Sequence, residues 1–307
     1  MIPKVSILIP NYNHKPYLQQ RLETVFGQTF QDFEVILLDD ASTDGSQEIL
    51  EHYKDHPKVS HLILNTQNYG SPFKQWQKGI NLAKGEYIWI AESDDYCELY
   101  FLEHIISKMN VTTGICYAQT IDVDEKGKRL LNRIEYTKEF MPNIWKGDFE
   151  MDGTKFIEKY LSVKNVVPNA SAVVFKKDLV DQTLFSEILL NMKMCGDWLL
   201  WAMVMGKTQV AFVAEPLNYF RNHAAVSRKH KSREQKKQRL LEEAAIRYVL
   251  LEAHQVHNKE SNKFLLKKWF QLHPLHAIFS SSFYSIAQTF KHKFFLLLKF
   301  ISFKLKK

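Results

Sequence analysis

The sequence predicts an α/β fold with a mostly parallel central sheet flanked by helices, followed by a basic helical extension. Short apolar runs alternate with helical patterns through the first 120 residues, which is typical of a parallel sheet. Residues 1–227 carry 23 Lys and Arg against 29 Asp and Glu, whereas residues 228–307 carry 18 against 5. We therefore expect an acidic body over residues 1–227 and a basic extension over residues 228–307.

Apolar runs and helix-start residues assign the elements of the body. Predicted strands cover residues 5–9, 33–38, 59–64, 87–91, 115–123, 171–175 and 210–213. Predicted helices begin near Pro16, Ser46, Pro72, Leu99 and Asp197. Pro16 and Pro72 fit the first turn of a helix, because that turn needs no backbone donor. A turn is expected at Lys126-Gly127-Lys128.

The cysteines and the apolar segments of the sequence indicate the cellular compartment. The three cysteines, Cys97, Cys116 and Cys195, are widely spaced and suit neither a metal cluster nor a disulfide framework, so a reducing compartment is expected. The first apolar run is too short for a signal peptide, and the sequence has no stretch of eighteen uncharged apolar residues. We expect a cytoplasmic protein.

An acidic cluster follows the fourth predicted strand. Glu92, Asp94 and Asp95 stand within four residues. Carboxylates this close repel one another unless a hard divalent cation, Mg²⁺ or Mn²⁺, lies among them. The alternative is a solvated turn that caps the helix near Leu99, since Ser and Asp are good N-cap residues.

Polar residues also follow the first two predicted strands, as Pro10-Asn11-Tyr12-Asn13 and Asp39-Asp40. Because the carboxyl ends of parallel strands meet at one edge, these groups should converge with the acidic cluster. A carboxylate there can accept from the N3–H of a uracil or thymine ring, and Tyr12 offers an aromatic face. Taken alone, Asp39-Asp40 also fits charge at a helix N-terminus. Glycine motifs of Rossmann and P-loop sites do not occur in the sequence, which disfavours both chemistries.

The order and spacing of these motifs closely resemble family-two glycosyltransferases of the GT-A fold, over about residues 3–227. The resemblance rests on residues 10–13, 28–46, 85–88 and 93–95. It implies that Asp40, with Asp39 beside it, holds the nucleotide base next to Pro10 and Tyr12. It also implies that Asp95, assisted by Asp94, holds the metal on the donor diphosphate.

Two later segments extend the resemblance. Cys195-Gly196-Asp197 is similar to an acidic pair of the family, with Gly196 replacing the first acid, so Asp197 remains as the candidate general base or, alternatively, a helix N-cap. Residues 215–227 resemble the Tyr-x-Arg-x-His stretch of the family. By that resemblance Arg221 and His223 contact the diphosphate or the metal, and the alternative is a surface pair at a strand end.

One departure concerns the cation on the diphosphate. Where the family commonly has Ala-Arg-Asn, residues 71–78 of this chain read SPFKQWQK. Either Lys74 or Lys78 would then replace the arginine.

The resemblance implies an inverting, metal-dependent glycosyltransferase. The expected donor is a nucleoside diphosphate sugar, a UDP-sugar foremost, and the expected acceptor is lipid-linked or a surface glycan. One alternative is a non-catalytic nucleotide-binding module of a glycan assembly complex, which Gly196 supports. Another is a nucleotidyltransferase, which normally needs a Gly-rich basic phosphate loop that Pro10-Asn11-Tyr12-Asn13 does not resemble.

The basic extension ends in an apolar stripe at helical spacing, flanked by lysines such as Lys291 and Lys307. Its members are Phe283, Ala287, Phe290, Phe294, Leu297, Ile301 and Leu305. A basic amphipathic helix of this kind suits an anionic bilayer, here the inner face of the plasma membrane. The alternative is a helix that packs in the protein core. Nucleic acid is not an expected partner, because no nucleic-acid motif accompanies the charge.

Overall fold

A ten-stranded sheet forms the centre of the computed structural model, which describes residues 2–223, 232–288 and 293–305. The strands are β1 (Val5–Asn11), β2 (Phe33–Asp39), β3 (Val59–Leu64), β4 (Tyr87–Ile90), β5 (Tyr96–Cys97), β6 (Thr113–Val123), β7 (Arg129–Asn132), β8 (Phe149–Asp152), β9 (Val173–Lys176) and β10 (Gln209–Arg221). The α-helices are α1 (Lys15–Phe26), α2 (Ser46–His52), α3 (Pro72–Leu82), α4 (Phe101–Lys108), α5 (Gly153–Phe156), α6 (Glu187–Leu190), α7 (Gly196–Met205), α8 (Arg233–His254), α9 (Lys259–Gln271) and α10 (Lys293–Leu305).

The predicted α/β class is confirmed, with a parallel half of the sheet in the order β3-β2-β1-β4. Beyond β4 the sheet is mixed. Strand β9 runs antiparallel to both β4 and β6, whereas β10 runs parallel to β6. The carboxyl ends of β1, β2 and β4 therefore meet at one edge, where ligands bind in open α/β sheets.

Strand β10 is longer than the sequence predicts. The predicted strand ends at residue 213, short of Pro216, whose ring removes a ladder donor. In the structure the strand shifts register against β6 on either side of Pro216 and continues to Arg221. The continuation brings Arg221 and His223 to the loop after β4.

Apolar layers cover both faces of the sheet. Along β1, Val5, Ile7 and Ile9 point into the layer that contains α1 and α4, whereas Leu8 points into the layer that contains α3 and α7. This alternation follows the two-residue repeat of a strand. Burial on both sides explains why the strand is mostly apolar, and its buried Ser6 donates to Glu34.

Helix α8 joins the basic extension to the body. Its residues Ile246 and Leu250 belong to the same apolar layer as α7, and Arg247 donates to the carbonyls of Ser162 and Val163. A smaller core surrounds residues of α9 and α10. The predicted boundary between residues 227 and 228 lies outside the described residues.

The predicted apolar stripe at the end of the chain is divided between two environments. Phe283 lies in a short 3-10 segment and is buried with Leu296 and Phe300 of α10 against Phe270. The opposite side of α10 is exposed, and we call it the outer face; its residues are Phe294, Phe295, Leu298, Ile301 and Leu305. The core alternative therefore holds for part of the stripe.

Two stripe positions, Phe290 and the side chain of Ala287, lie outside the described residues, as do the flanking Lys291 and Lys307. Among the helices that are described, none has the length and apolar character needed to cross a bilayer.

Glu242 is a buried carboxylate that ties α8 to the start of α7. Its oxygens accept from the backbone N–H groups of Lys193, Met194 and Cys195 at 2.9–3.0 Å. Cys195 immediately precedes α7. The contact therefore fixes the backbone that presents Asp197.

We expect Glu242→Ala to lower the free energy of unfolding by at least about 2 kcal/mol, because three backbone donors lose their charged acceptor. Chemical denaturation of the full chain measures the change. Glu260→Ala is the matched control, since it removes an exposed carboxylate from α9, and it should leave stability nearly unchanged. Equal effects of the two substitutions would contradict this role of Glu242.

Candidate active site

A cleft of about 290 Å³ opens at the carboxyl edge of β1, β2 and β4. Its lining includes Pro10, Tyr12, His14, Asp40, Gln75 and Glu92. The polar ends of the three strands thus converge. Tyr12 is about half exposed, so its ring is open to a ligand.

Asp40 is buried at the cleft and held by three donors. Its Oδ1 accepts from Asn65 Nδ2 at 2.8 Å and Gln75 Nε2 at 2.7 Å, and its Oδ2 accepts from the N–H of Tyr69 at 3.1 Å. Because a carboxylate oxygen offers two lone pairs, Oδ2 retains acceptor capacity. Asp40 can therefore accept a further hydrogen bond from a ligand.

Asp39 is fully buried beneath the loop that follows β2. Its carboxylate accepts from Asn11, Gln47 and both the N–H and hydroxyl of Ser42. Four protein donors saturate it. It shapes the loop that presents Asp40.

The two lysines of α3 lie close to Asp40 but do not line the cleft. Lys78 Nζ donates to Asn65 Oδ1 at 2.7 Å. Lys74 Nζ lies 3.4 Å from the carbonyl of Tyr69. Lys78 is thus the more firmly held of the two.

Asp94 lies beside two histidines in a compact cluster. Its Oδ2 lies 2.9 Å from His223 Nε2 and 4.0 Å from His14 Nε2. One ligand atom from each of the three residues lies within 4.8 Å of the others. Ser93 Oγ lies 2.9 Å from His14 Nδ1. Segments after β1, β4 and β10 therefore meet at one point.

The electrostatics of this cluster favour ligand-competent side chains. Burial lowers the pKa of His14, against the attraction of Asp94, and so favours the neutral imidazole. Burial opposes ionisation of Asp94, but the two histidines outweigh it and hold the pKa of its carboxyl below the usual range. Neutral imidazole and ionised carboxylate are the forms that bind metals.

The other two carboxylates of the acidic cluster have different surroundings. Burial, followed by the charge of Asp94, raises the pKa of Glu92 to about 8 and that of Asp95 to about 6. Glu92 lines the cleft and accepts from Trp76 Nε1 at 2.9 Å. Asp95 is buried, and its oxygens accept at 2.5–3.0 Å from Asn169, Ser171 and the N–H of Arg221. Asp95 thus anchors neighbouring segments, whereas Asp94 faces the histidines.

Arg221 lies between two tyrosine rings and is buried away from the cleft. Its guanidinium packs on the rings of Tyr17 and Tyr96. It donates to the carbonyls of Asp94 and Glu125 at 2.8 and 2.9 Å and to Gln20 Oε1 at 2.5 Å. The structure therefore places Arg221 as a brace for the acidic loop.

The chemistry of the cluster fits a divalent cation. Imidazole nitrogen and carboxylate oxygen are common ligands of Mn²⁺ and related ions. Within residues 2–223, 232–288 and 293–305, His14, Asp94 and His223 are the one group of such side chains close enough to share an ion.

Asp197 stands in the first turn of α7, beside a second cavity of about 140 Å³. Asn165 Nδ2 donates to its carboxylate at 3.0 Å. Residues Arg133, Tyr136, Trp198 and Arg239 also line this cavity. Asp197 therefore does not line the cleft that contains Asp40.

A five-residue segment links Asp197 to the acidic cluster. Asn165 at one end contacts Asp197, and Asn169 at the other end contacts Asp95. Four residue steps of extended chain span at most about 14 Å. The candidate base is thus held near the acidic cluster.

Gly196, which replaces the first acid of the family pair, packs on α3. A Cβ atom at Gly196 would lie 2.5 Å from the ring of Phe73. Phe73 belongs to the segment that lacks the Ala-Arg-Asn pattern, and its ring packs edge-on against Trp76. The two departures from the family pattern are therefore in contact.

Three residues of the site have no sequence signal of their own. Gln75 and Asn65 hold Asp40, and His14 reaches Asp94. Only the position of His14, just after the polar end of the first strand, could have drawn attention to it.

The family model described as Glycosyl transferase family 2 matches residues 6–182, which is more than half of the chain. The chain belongs to glycosyl transferase family 2. Among solved structures, residues 1–349 of TarS from S. aureus align with a TM-score of 0.59 at 16% identity, covering 97% of this chain and 91% of that one. A mannosyltransferase from Pyrobaculum calidifontis, solved with GDP-Man and Mn²⁺, aligns with a TM-score of 0.53 at 15% identity, covering 94% and 74%. These two structures confirm the predicted fold of the family 2 chain.

A curated relative of this family 2 chain is a poly(ribitol-phosphate) beta-glucosyltransferase of Bacillus spizizenii. It is 41% identical over 95 residues, which make up 30% of this chain and 15% of that protein. The chain matches 15–35% of the length of three such relatives. The likeness therefore concerns a shared domain.

Proposed function

We propose that this chain transfers a sugar from a nucleoside diphosphate donor to a hydroxyl group of a lipid-linked or surface-glycan acceptor, with inversion at the anomeric carbon. The observation that carries the proposal is the convergence of Asp40 and Asp94 at the carboxyl edge of the sheet in a family 2 domain, with Asp197 tied to a neighbouring segment through Asn165. A UDP-sugar is the first choice of donor, since TarS has been solved with UDP and with UDP-GlcNAc.

The cleft supplies the donor contacts. Asp40 Oδ2 accepts from an N–H of the base, and the half-exposed ring of Tyr12 covers the face of the base beside Pro10. Asp39 stabilises the loop that follows β2 through its hydrogen bonds. Lys74 is the candidate for the diphosphate, because its contact with the carbonyl of Tyr69 at 3.4 Å is weaker than the hydrogen bond of Lys78 to Asn65 at 2.7 Å.

Asp94 and His223 would hold a Mg²⁺ or Mn²⁺ ion on the donor. The bound cation neutralises the charge that develops on the leaving diphosphate. Asp197 accepts the proton of the acceptor hydroxyl as that hydroxyl attacks. A single base on the acceptor side suits direct displacement, which inverts the anomeric centre.

A panel of nucleotide sugars with Mn²⁺ tests the donor site. The true donor should raise the melting temperature of the full chain by mass action, and Asp40→Ala should remove most of the rise. Asp32→Ala, a change of an exposed carboxylate just before β2, is the control and should behave as wild type. No stabilisation by any nucleotide sugar would contradict the proposal.

Product analysis separates the alternatives. Sugar transfer releases a nucleoside diphosphate, whereas a nucleotidyltransferase releases pyrophosphate. A non-catalytic module would bind the donor without turnover.

The outer face of α10 supports a further proposal, that the enzyme works at the cytoplasmic face of an anionic membrane. Leu298, Ile301 and Leu305 follow Phe294 at spacings of four, three and four, so they share one side of the helix. Lys293 and Lys299 flank them. Each lysine near such a surface contributes about 1 kcal/mol, and the contribution falls as salt increases.

We expect Leu298→Ser with Ile301→Ser to reduce co-sedimentation with anionic liposomes several-fold at low salt, because the substitutions remove apolar area from the outer face. Val111→Ser, at an exposed apolar residue of the body, is the control. Neutral liposomes and high salt should weaken binding of the wild type. Failure of the wild-type protein to co-sediment with anionic liposomes would rule out the membrane proposal.

A further inference from the structure

We propose that His14 is a third protein ligand of the cation and that it makes the site prefer Mn²⁺ over Mg²⁺. The inference rests on the proposed function, which assigns the cation to Asp94 and His223. It adds a ligand from a different segment and a preference for one class of metal.

The spacing of the three side chains suits one shared ion. His223 Nε2 and His14 Nε2 lie 2.9 and 4.0 Å from Asp94 Oδ2, and ligand atoms of all three lie within 4.8 Å of one another. Atoms bound to one ion at about 2.1 Å lie about 3–4.2 Å apart. Because the set extends no further than 4.8 Å, side-chain rotations that bring its widest pair closer by about 0.6 Å place all three atoms within that spacing.

Ser93 orients the His14 ring. His14 Nδ1 lies 2.9 Å from Ser93 Oγ, and in the proposed site it donates its hydrogen to that oxygen, so that the lone pair of Nε2 is on the side of Asp94. A hydrogen-bond partner on the ring nitrogen that does not bind the metal is the usual support of a metal-bound histidine. The imidazoles of His14 and His223 meet at 82°, so their nitrogens can converge without stacking.

The donor set decides the metal preference. Mg²⁺ favours oxygen ligands and is usually held by one or two carboxylates with phosphate and water. Imidazole favours transition metals. Two imidazoles and one carboxylate leave the remaining positions for diphosphate oxygens, and they discriminate against Mg²⁺ more strongly than Asp94 with one histidine.

Calorimetric titration of the full chain with Mn²⁺ alone and with Mg²⁺ alone tests the inference. His14→Gln should weaken Mn²⁺ binding at least about tenfold. Even residues that only hydrogen-bond to a metal ligand contribute about 10–100-fold to metal affinity. His14→Gln should weaken Mg²⁺ binding less than threefold. The ratio of Mn²⁺ affinity to Mg²⁺ affinity should therefore be smaller in the variant than in the wild type. Ser93→Ala should weaken Mn²⁺ binding by a smaller factor, and His52→Gln, at an exposed histidine of α2, should not change it. Unchanged Mn²⁺ binding by His14→Gln, or an equal loss of both metals, would overturn the assignment.

Pulsed electron paramagnetic resonance of Mn²⁺ bound to wild-type protein provides a reading that does not depend on how a variant folds. Nitrogen couplings from two imidazoles are expected, and coupling from one imidazole alone would contradict the inference. The proposed function fails separately: a chain that transfers no sugar yet shows two-imidazole Mn²⁺ coordination keeps the metal site and loses the enzyme assignment. A chain that transfers sugar but shows one coordinating imidazole keeps the enzyme assignment and loses His14 as a metal ligand.

Discussion

Asp197→Asn is expected to lower the turnover number by about 10²–10⁴-fold, because asparagine cannot accept the proton of the acceptor hydroxyl. The donor dissociation constant should change little, since Asp197 does not line the donor cleft. The amide keeps the size of the carboxylate and an oxygen that can still accept from Asn165. Release of nucleoside diphosphate with acceptor present measures turnover, and calorimetry measures donor binding.

Asp181→Asn serves as the control for this measurement. Asp181 is exposed and paired with Lys207, so its substitution should leave turnover as in wild type. Near-normal transfer by Asp197→Asn would mean that Asp197 has only a structural role in the first turn of α7. The general base would then be another residue. Loss of donor binding together with turnover would also contradict the proposed division of roles.

Asp94→Asn is expected to remove the stabilisation that Mn²⁺ and a nucleoside diphosphate give together. At ligand concentrations one hundred times the dissociation constant, the wild type should gain about 2.7 kcal/mol. The variant should fold without ligand, because the side chain of Asp94 faces the histidines and not the apolar core. Thermal melts with and without the two ligands measure both quantities.

Asp95→Asn is expected to give the opposite result to Asp94→Asn. Its carboxylate accepts from three buried partners, so the substitution should lower stability in the absence of any ligand. The fraction that folds should still be stabilised by Mn²⁺ and nucleoside diphosphate. The reverse pattern, with the ligand effect lost in Asp95→Asn alone, would restore Asp95 as the metal ligand.

The fold could be predicted from the sequence where local rules act without competition. Strands β1, β2 and β4 are buried on both faces and β3 is a mostly apolar edge strand, so their positions follow from composition within two residues at each end. Pro16 and Pro72 begin helices as expected. The rule fails at Pro216, where pairing with β6 on both sides of a register shift maintains the strand across a residue that locally disfavours it.

The roles within the site were harder to predict, because they depend on contacts between distant segments. Asp94 and Asp95 are neighbours in sequence, yet one meets two histidines and the other meets Asn169 and Ser171. Spacing within the acidic cluster carries no information about these partners. The presence of a carboxylate site was therefore predictable, whereas the distribution of tasks among its members was not.

Gly196 and Phe73 constrain each other's replacement over evolutionary time. An acid introduced at residue 196 alone would force its side chain into a buried ring, since even a Cβ atom lies 2.5 Å from Phe73. Shortening Phe73 alone would leave a cavity beside Trp76 and lower stability. Each single step is unfavourable, whereas the two changes together relieve both defects. A lineage that carries this pair would thus be expected to keep or exchange both residues as a unit.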